Sequence, residues 1–337
     1  MAMKQGIACG GNLIVDHIKK IPAWPAQGNL VTITEQFDTT GGLVCNVLLD
    51  LAKLDPTMPL YAIGLRGDDA DGRLVEERLT HAGVDISGVQ ILPGTDTSYT
   101  DVLSTPDGNR TFFQRSGASA QFTDEHIPYG TCNAKVMHLG YLLLLEGMDA
   151  PDAQYGTVMA KALAKAREAG FVTCMDVVSE HSDRFRRIVP PSLKYVDLCV
   201  INEIEAEEIT GKTCRKDGKI DFDGVEAALH SLMDMGVGRW AVIHFPEGAC
   251  ALERGGQVIR QASIAVPKSY IVGKVGAGDA FCAGILYSAA KDLPLSEAMR
   301  VATAAATSSL ASADASGSVL PVEEALKLFD QYGEENF

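Results

Sequence analysis

From about Lys135 to the end of the chain, short apolar runs alternate with segments of helical periodicity, and this rhythm restricts the possible folds more than any other feature. It predicts strands at 136–140, 171–176, 196–201 and 240–244, with helices at 153–169, 203–210 and 225–235. Further short strands reach 266, and three terminal helices begin near 278, 295 and 322. Upstream, a strand ends near Cys9, and Leu43, Val44, Val47, Leu48, Leu51 and Leu54 fall at helical spacing over 43–54. A buried strand at 60–64 and an amphipathic helix at 70–82 follow. Strands separated by helices favour a mostly parallel sheet covered on both faces, a three-layer α/β/α arrangement. No repeat, low-complexity tract or linker divides the chain, so residues 1–337 are expected to form one domain.

Two stretches break the rhythm. Between about 12 and 40 the pattern is that of exposed strands, as in Leu30-Val31-Thr32-Ile33-Thr34. Between about 95 and 115, β-rich runs at 97–105 and 110–114 flank Pro106-Asp107-Gly108-Asn109, a strong hairpin signal. These insertions are expected to pair into one small sheet.

Composition narrows the partner. The 29 Lys and Arg against 44 Asp and Glu give a net charge of −15 over 337 residues, and no basic run exceeds a pair. That excludes nucleic acid and anionic membrane surfaces as partners and leaves a small molecule. The eight cysteines are scattered without a C-x-x-C pair or zinc-site spacing, and the seven histidines form no cluster in sequence. They read as reduced core thiols, with no histidine nominated as a metal ligand. Without a leader-like start or an apolar run near the roughly 20 residues of a membrane span, a cytoplasmic protein is expected, and the sequon Asn109-Arg110-Thr111 should stay unmodified.

The most informative motif is Gly276-Ala277-Gly278-Asp279, after a β-rich run and before a helix containing Phe281, Ile285 and Leu286. Small residues at a helix start let backbone N–H groups approach an anion, which the helix dipole favours. Asp279 either caps this helix or acts as a general base beside a transferring phosphoryl group. Asn202-Glu203-Ile204-Glu205 reads both as a capping box and as oxygen donors for hydrated Mg²⁺ at the carboxyl end of a strand. Two patterns are rejected. The stretch from Ala206 to Thr213 has relaxed P-loop spacing, but it is acidic and helical. No G-x-G-x-x-G fingerprint is present either, which speaks against a nicotinamide-dependent dehydrogenase.

Taken together, Gly41-Gly42 with Asn46, the stretch Gly67-Asp68-Asp69-Ala70-Asp71-Gly72, Asn202-x-x-Glu205 and Gly276-Ala277-Gly278-Asp279 resemble the ribokinase-like (PfkB) carbohydrate kinase family, from about Gly6 to Leu320. The resemblance implies an ATP-dependent sugar kinase with a small β-sheet lid formed by the two insertions. It implies Asp279 as the base, Gly276, Ala277 and Gly278 as an anion hole, and Asn202 and Glu205 as organisers of Mg²⁺ through water. Asp16, Gly41, Gly42 and Asn46 match its sugar-binding positions, with Glu146 and Arg110 as further substrate candidates and Gly248 as a nucleotide candidate. A homodimer through the lid is also implied. Bland roles stand beside these: Asp16 as a turn residue, Asn46 as a helix residue bonded to a loop, and Glu146 and Arg110 as surface charges.

Three departures from the family pattern bear on specificity. Gly273-Lys274-Val275 replaces the Asp/Thr segment that serves a monovalent cation, so K⁺ activation is expected to be weak or absent, with Lys274 supplying charge near the turn. His244-Phe245-Pro246-Glu247-Gly248-Ala249 replaces a Thr-x-Gly turn and leaves the phosphate donor less defined. Val178 and Glu180 stand where the family's fructokinase and ketodeoxygluconate-kinase branches often carry Asn and Arg, and an inward Glu180 would repel a sugar-acid carboxylate, which argues mildly against a 2-keto-3-deoxy sugar acid. The rival from another class is a non-catalytic sensor of sugar or nucleotide on the same fold.

Overall fold

The chain runs through β1 (Ile7–Gly11), β2 (Ile14–Lys20), β3 (Glu35–Gly41), α1 (Gly42–Leu54), β4 (Leu60–Arg66), α2 (Ala70–His81) and β5 (Asp85–Ile91). The hairpin of β6 (Ser98–Ser104) and β7 (Arg110–Arg115) follows, then β8 (Val136–Leu142), α3 (Val158–Glu168), β9 (Val172–Val177), β10 (Leu198–Asn202), α4 (Glu203–Thr210) and α5 (Phe222–Asp234). Last come β11 (Trp240–Phe245), β12 (Gly248–Glu253), β13 (Val258–Ala262), α6 (Ala277–Ala290), α7 (Leu295–Ser309) and α8 (Val322–Tyr332). This is a computed structural model, and it describes every residue except 1–3, 179–182, 313 and 337. Glu180 therefore lies outside the described residues.

Nine strands form the central sheet in the order β13-β12-β11-β10-β9-β8-β1-β4-β5. Its strands are parallel from β5 to β11, and β12 and β13 add an antiparallel edge. Successive side chains along a strand point to opposite faces, so an uninterrupted apolar strand feeds two cores. On β8, Met137 and Leu139 enter one core while Val136 enters the other. On β10, Cys199 and Ile201 share the first core, and Leu198 and Val200 the second. The first core is closed by Met159, Leu163, Leu229 and Leu232 of α3 and α5, and the second by Leu43, Leu48, Ile285 and Ala302 of α1, α6 and α7. The three layers anticipated from the rhythm follow from this division.

The two interruptions pair as expected, into a four-stranded sheet ordered β3-β2-β6-β7. Its register sets Asp16 of β2 between Thr39 of β3 and Thr100 of β6. One expectation fails here. Residues 30–34 are not a strand but part of the connection from β2 to β3, with Leu30 90% exposed. Alternation alone does not make a strand when its apolar side has nothing to cover, and β2 already takes β3 and β6 as neighbours. A second boundary also moves. The helix expected from 153 begins at Val158, because a two-stranded ribbon of Pro151–Asp152 and Gly156–Thr157 precedes it. Thr157 then caps the helix by accepting from the Ala160 N–H at 3.1 Å.

The relaxed P-loop stretch is helical through Thr210 and ends on Gly211 in the left-handed region (φ 69°), which removes it as a phosphate loop. All eight cysteines are free thiols, and Cys132 is the one not fully buried. Among the described residues no helix is long and apolar enough to cross a membrane.

Candidate active site

The carboxyl ends of parallel strands, where each chain segment leaves the sheet, gather polar residues at one edge. Here that edge receives Asn12 after β1, Tyr141 on β8, Asp176 on β9, Asn202 ending β10 and His244 on β11. The N-termini of α1 and α6 point to the same edge.

Asp279 sits in the first turn of α6, whose N-cap is Gly276 in the left-handed region (φ 81°, ψ −5°), and no side chain caps the helix. A Cβ on Gly276 would stand 2.1 Å from the Ala315 carbonyl oxygen, so the turn closes against the 314–318 segment only with glycine. The capping alternative for Asp279 is therefore not realised. Its carboxylate accepts instead from the Tyr141 hydroxyl at 2.6 Å on Oδ1 and from Asn46 Nδ2 at 2.9 Å on Oδ2. Burial raises the Asp279 carboxyl above its ordinary range, while these two bonds and the charge of His138 oppose the rise. Two oxygens are thus fixed by donors from two different elements.

Tyr141 is a residue that sequence reasoning missed, and so is the group that positions it. Asn12, with no solvent exposure, accepts the Tyr141 N–H at 2.7 Å on Oδ1. The Asn12 backbone carbonyl accepts from the Val44 N–H at 3.3 Å, joining the start of α1 to the same point. The only sequence signal was a polar residue directly after the apolar first strand.

On the small sheet, Asp16 lies beside the end of β3. A Cβ on Gly41 would fall 2.5 Å from Asp16 Oδ2, which is why the glycine pair stands here. Burial raises the Asp16 carboxyl to about 6 although the Thr100 hydroxyl and the charges of His17 and Arg110 pull the other way. Arg110 itself stands at the far end of β7, opposite Ser104, and is half-buried. The neighbouring His17 bridges two carboxylates, Asp38 at 2.8 Å through Nδ1 and Asp71 of α2 at 3.0 Å through Nε2. Asp69, the N-cap of α2, also binds the hairpin by accepting the Thr97 N–H at 2.7 Å and its hydroxyl at 2.6 Å.

At the other side of Asp279, Asn202 forms the expected capping box. Its Oδ1 accepts from the N–H groups of Ile204 and Glu205, both at 2.9 Å, and Glu205 Oε2 accepts the Asn202 N–H at 2.9 Å. Burial, then the charges of Glu205 and Asp279, push the Asp176 carboxyl well above its usual range. A buried group of carboxyl oxygens that repel one another is a donor set suited to a hard divalent cation. Asp176, which the motif search did not select, is close enough to Glu205 for their charges to repel, and Asn202 fixes Glu205 through the capping box.

His244 flanks Asn202 in the sheet and packs on Phe281 with centroids 5.1 Å apart. A Cβ on Gly278 would lie 3.4 Å from its Cε1, and burial lowers its pKa to about 4. Gly248 is buried and follows the two-residue turn Pro246-Glu247 between β11 and β12. Arg215 ties this turn to α4 by donating to Glu247 Oε1 at 2.8 Å and to Glu203 Oε1 at 2.9 Å. Glu146 is exposed and accepts from the Ser116 hydroxyl at 2.8 Å. Lys274 is exposed as well. The ammonium that does reach the segment behind Gly276 is Lys53, which donates to the carbonyls of Ser316 and, at 2.9 Å, Gly317.

Residues 4–322 match a family model described as pfkB family carbohydrate kinase. The chain is 26% identical to a ribokinase of Arabidopsis thaliana over 88% of its own length and 74% of the relative's. It is 27% identical to an ATP-dependent ribose-1-phosphate kinase of Halopiger xanaduensis, over 88% of this chain and 89% of the other. Among solved structures it superposes on that of Arabidopsis thaliana ribokinase complexed with ribose and ATP, with a TM-score of 0.80 at 22% identity, covering 97% of this chain and 99% of that one.

Proposed function

The chain belongs to the pfkB family of carbohydrate kinases, and from that premise we propose that it transfers the γ-phosphoryl group of ATP to a hydroxyl of a sugar or close sugar derivative. The observation that carries this reading is Asp279, fixed between Tyr141 and Asn46 at the mouth of an uncapped helix N-terminus.

In this reading the small sheet is a lid, and Asp16, Gly41, Gly42 and Asn46 hold the sugar against Asp279. Closing the lid excludes water, so that the sugar hydroxyl and not a water molecule meets the base. Asp279 accepts the hydroxyl proton, the alkoxide-like oxygen bonds to the γ-phosphorus, and the bond from that phosphorus to the bridging oxygen of ADP breaks. The N–H groups of Gly276, Ala277 and Gly278 offset the charge on the transferred group. Mg²⁺ bound through Asp176 and Glu205 would neutralise phosphate charge, and Asn202 keeps Glu205 in place. His244, neutral at physiological pH, presents an imidazole beside Gly278 that can donate to a phosphate oxygen. Arg110 and Glu146 complete the rim of the sugar site, and Gly248 lines the nucleotide side. One kinase domain spans the chain, and a cytoplasmic homodimer forms through the lid, where Phe37, Phe112 and Phe113 are exposed.

The test is a coupled assay of ADP release over a panel of pentoses, hexoses, phosphorylated pentoses, sugar acids and nucleosides. Acceptor-dependent ADP production that disappears in Asp279→Asn supports the reading. Binding of sugar or nucleotide without turnover by the wild-type protein would replace it with the sensor.

A further inference from the structure

The fold assembles three soft donors that the sequence keeps far apart. His138 of β8, Cys174 of β9 and Cys282 of α6 each offer one ligand atom, and these atoms lie within 4.8 Å of one another. His138 and Cys174 are direct neighbours in register across two central strands, so their side chains leave the same face of the sheet. Cys282 comes down on them from α6, with its Sγ 3.7 Å from His138 Nε2. All three are buried, at 0%, 0% and 1% exposure. Among the described residues, the other ring nitrogen, Nδ1, has no hydrogen-bond partner.

We propose that His138, Cys174 and Cys282 form a binding site for a thiophilic d¹⁰ metal ion, Cu(I) in the first place. The donor set of two sulfurs and one imidazole nitrogen suits copper and zinc and is wrong for magnesium or calcium. Among the described residues no fourth His, Cys, Asp or Glu joins the cluster. Cu(I) is satisfied by three soft donors, whereas structural zinc closes a tetrahedron with a fourth. Binding releases the thiol protons of the two cysteines to solvent, with no change in oxidation state. Because the site is closed to solvent, the ion enters through an opening of α6 or before folding is complete, and both loading and loss are slow.

The site also touches the catalytic element. Cys282 follows Asp279 by three residues, less than one turn of α6. A metal bond at its sulfur fixes the helix that carries the base.

The experiment uses the full chain, reduced and anaerobic, with Cys132→Ser as background to remove the partly exposed thiol. Cu(I) is supplied from a bicinchoninate complex. The expected result is capture of one equivalent with thiolate-to-copper absorption in the near ultraviolet, and an X-ray absorption spectrum fitted by two sulfurs and one nitrogen. Cys174→Ser and Cys282→Ala should each lose that capture, while Cys250→Ala, a buried thiol outside the cluster, keeps it. Absence of capture by the background protein overturns the proposal, as does equal capture by the Cys174→Ala/Cys282→Ala double variant. Should a variant not fold, the X-ray spectrum of the background protein decides alone, and a four-coordinate zinc in place of copper overturns the assignment to Cu(I).

Discussion

The Tyr141 hydroxyl donates to Asp279 Oδ1 at 2.6 Å, so the proposed base is held on one oxygen by a group that is itself too deeply buried to ionise. The bond favours the carboxylate over the acid. Removing it in Tyr141→Phe should raise the Asp279 pKa further and move the acid limb of the kcat/KM profile to higher pH. Turnover at neutral pH should fall about 10-fold or more, against the roughly 10²–10⁴-fold expected for loss of the base itself in Asp279→Asn. A Tyr141→Phe profile superimposable on the wild type would separate Tyr141 from the chemistry.

Asp16 titrates at about 6 because burial disfavours its charge. If its carboxylate receives sugar hydroxyls, KM for the acceptor should climb as pH falls below 6, while kcat holds. The stability effect has the opposite sign. A carboxyl whose folded pKa is raised above the unfolded value near 3.8 binds more protons in the folded state, so it loses stability as pH rises from about 4 to 6. Asp16→Asn should therefore bind the sugar more weakly, without the acid dependence, and melt at a higher temperature than the wild type at pH 8. Paired KM and melting curves at pH 5 and 8 check both signs.

His17 latches the lid strand β2 to α2. Burial lowers its pKa, but hydrogen bonding to Asp38 and the charge of Asp71 outweigh that and raise it overall. Such a group contributes its full stabilisation below the unfolded value of 6.5 and loses it as pH rises through the raised folded pKa. Hydrogen exchange of β2 and β3 amides should accelerate between pH 6.5 and 8.5 beyond the intrinsic base-catalysed rise. Asp71→Asn should abolish that excess. Identical pH dependence in the variant would leave His17 as a surface residue.

Lys53 takes the place that the sequence suggested for Lys274. Its ammonium binds carbonyls of the segment that supports Gly276, from a helix that also carries Asn46. Lys53→Met should lower kcat by about 10-fold through misplacement of the anion turn, an effect of the size that small displacements produce, and leave acceptor KM within twofold. Wild-type turnover should be unchanged on exchanging K⁺ for Na⁺. Strong activation of the wild type by K⁺ would show that the lysine does not serve this function.

The layers, the paired insertions and the capping box at Asn202 could be read from the chain because each rests on a local pattern: period two, period 3.6, or a cap three residues from its partner. What escaped depends on distances the sequence does not encode. Tyr141 sits inside an apolar run, and only the proximity of β8 to α6 turns it into a partner of Asp279. Asp176 ends a strand like many surface carboxylates and gains meaning from Glu205 opposite. The expected strand at 30–34 failed for the converse reason, a correct alternation with no surface to cover. His138 was set aside because the seven histidines form no cluster in sequence, yet its neighbours are supplied by the next strand and a helix more than a hundred residues away.

The lid and the central sheet are joined through Asn12 and Leu13, which separate β1 from β2 and have no solvent exposure. Hinges usually rely on residues free to rotate, but Asn12 is held by the contact that orients Tyr141, and the Leu13 N–H donates to the Ser119 hydroxyl at 3.4 Å. If the small sheet closes over an acceptor as proposed, its movement is coupled through Asn12 to Tyr141 and so to Asp279. An acceptor too large to allow full closure would then be rejected by misplacement of Tyr141 as well as by lack of space.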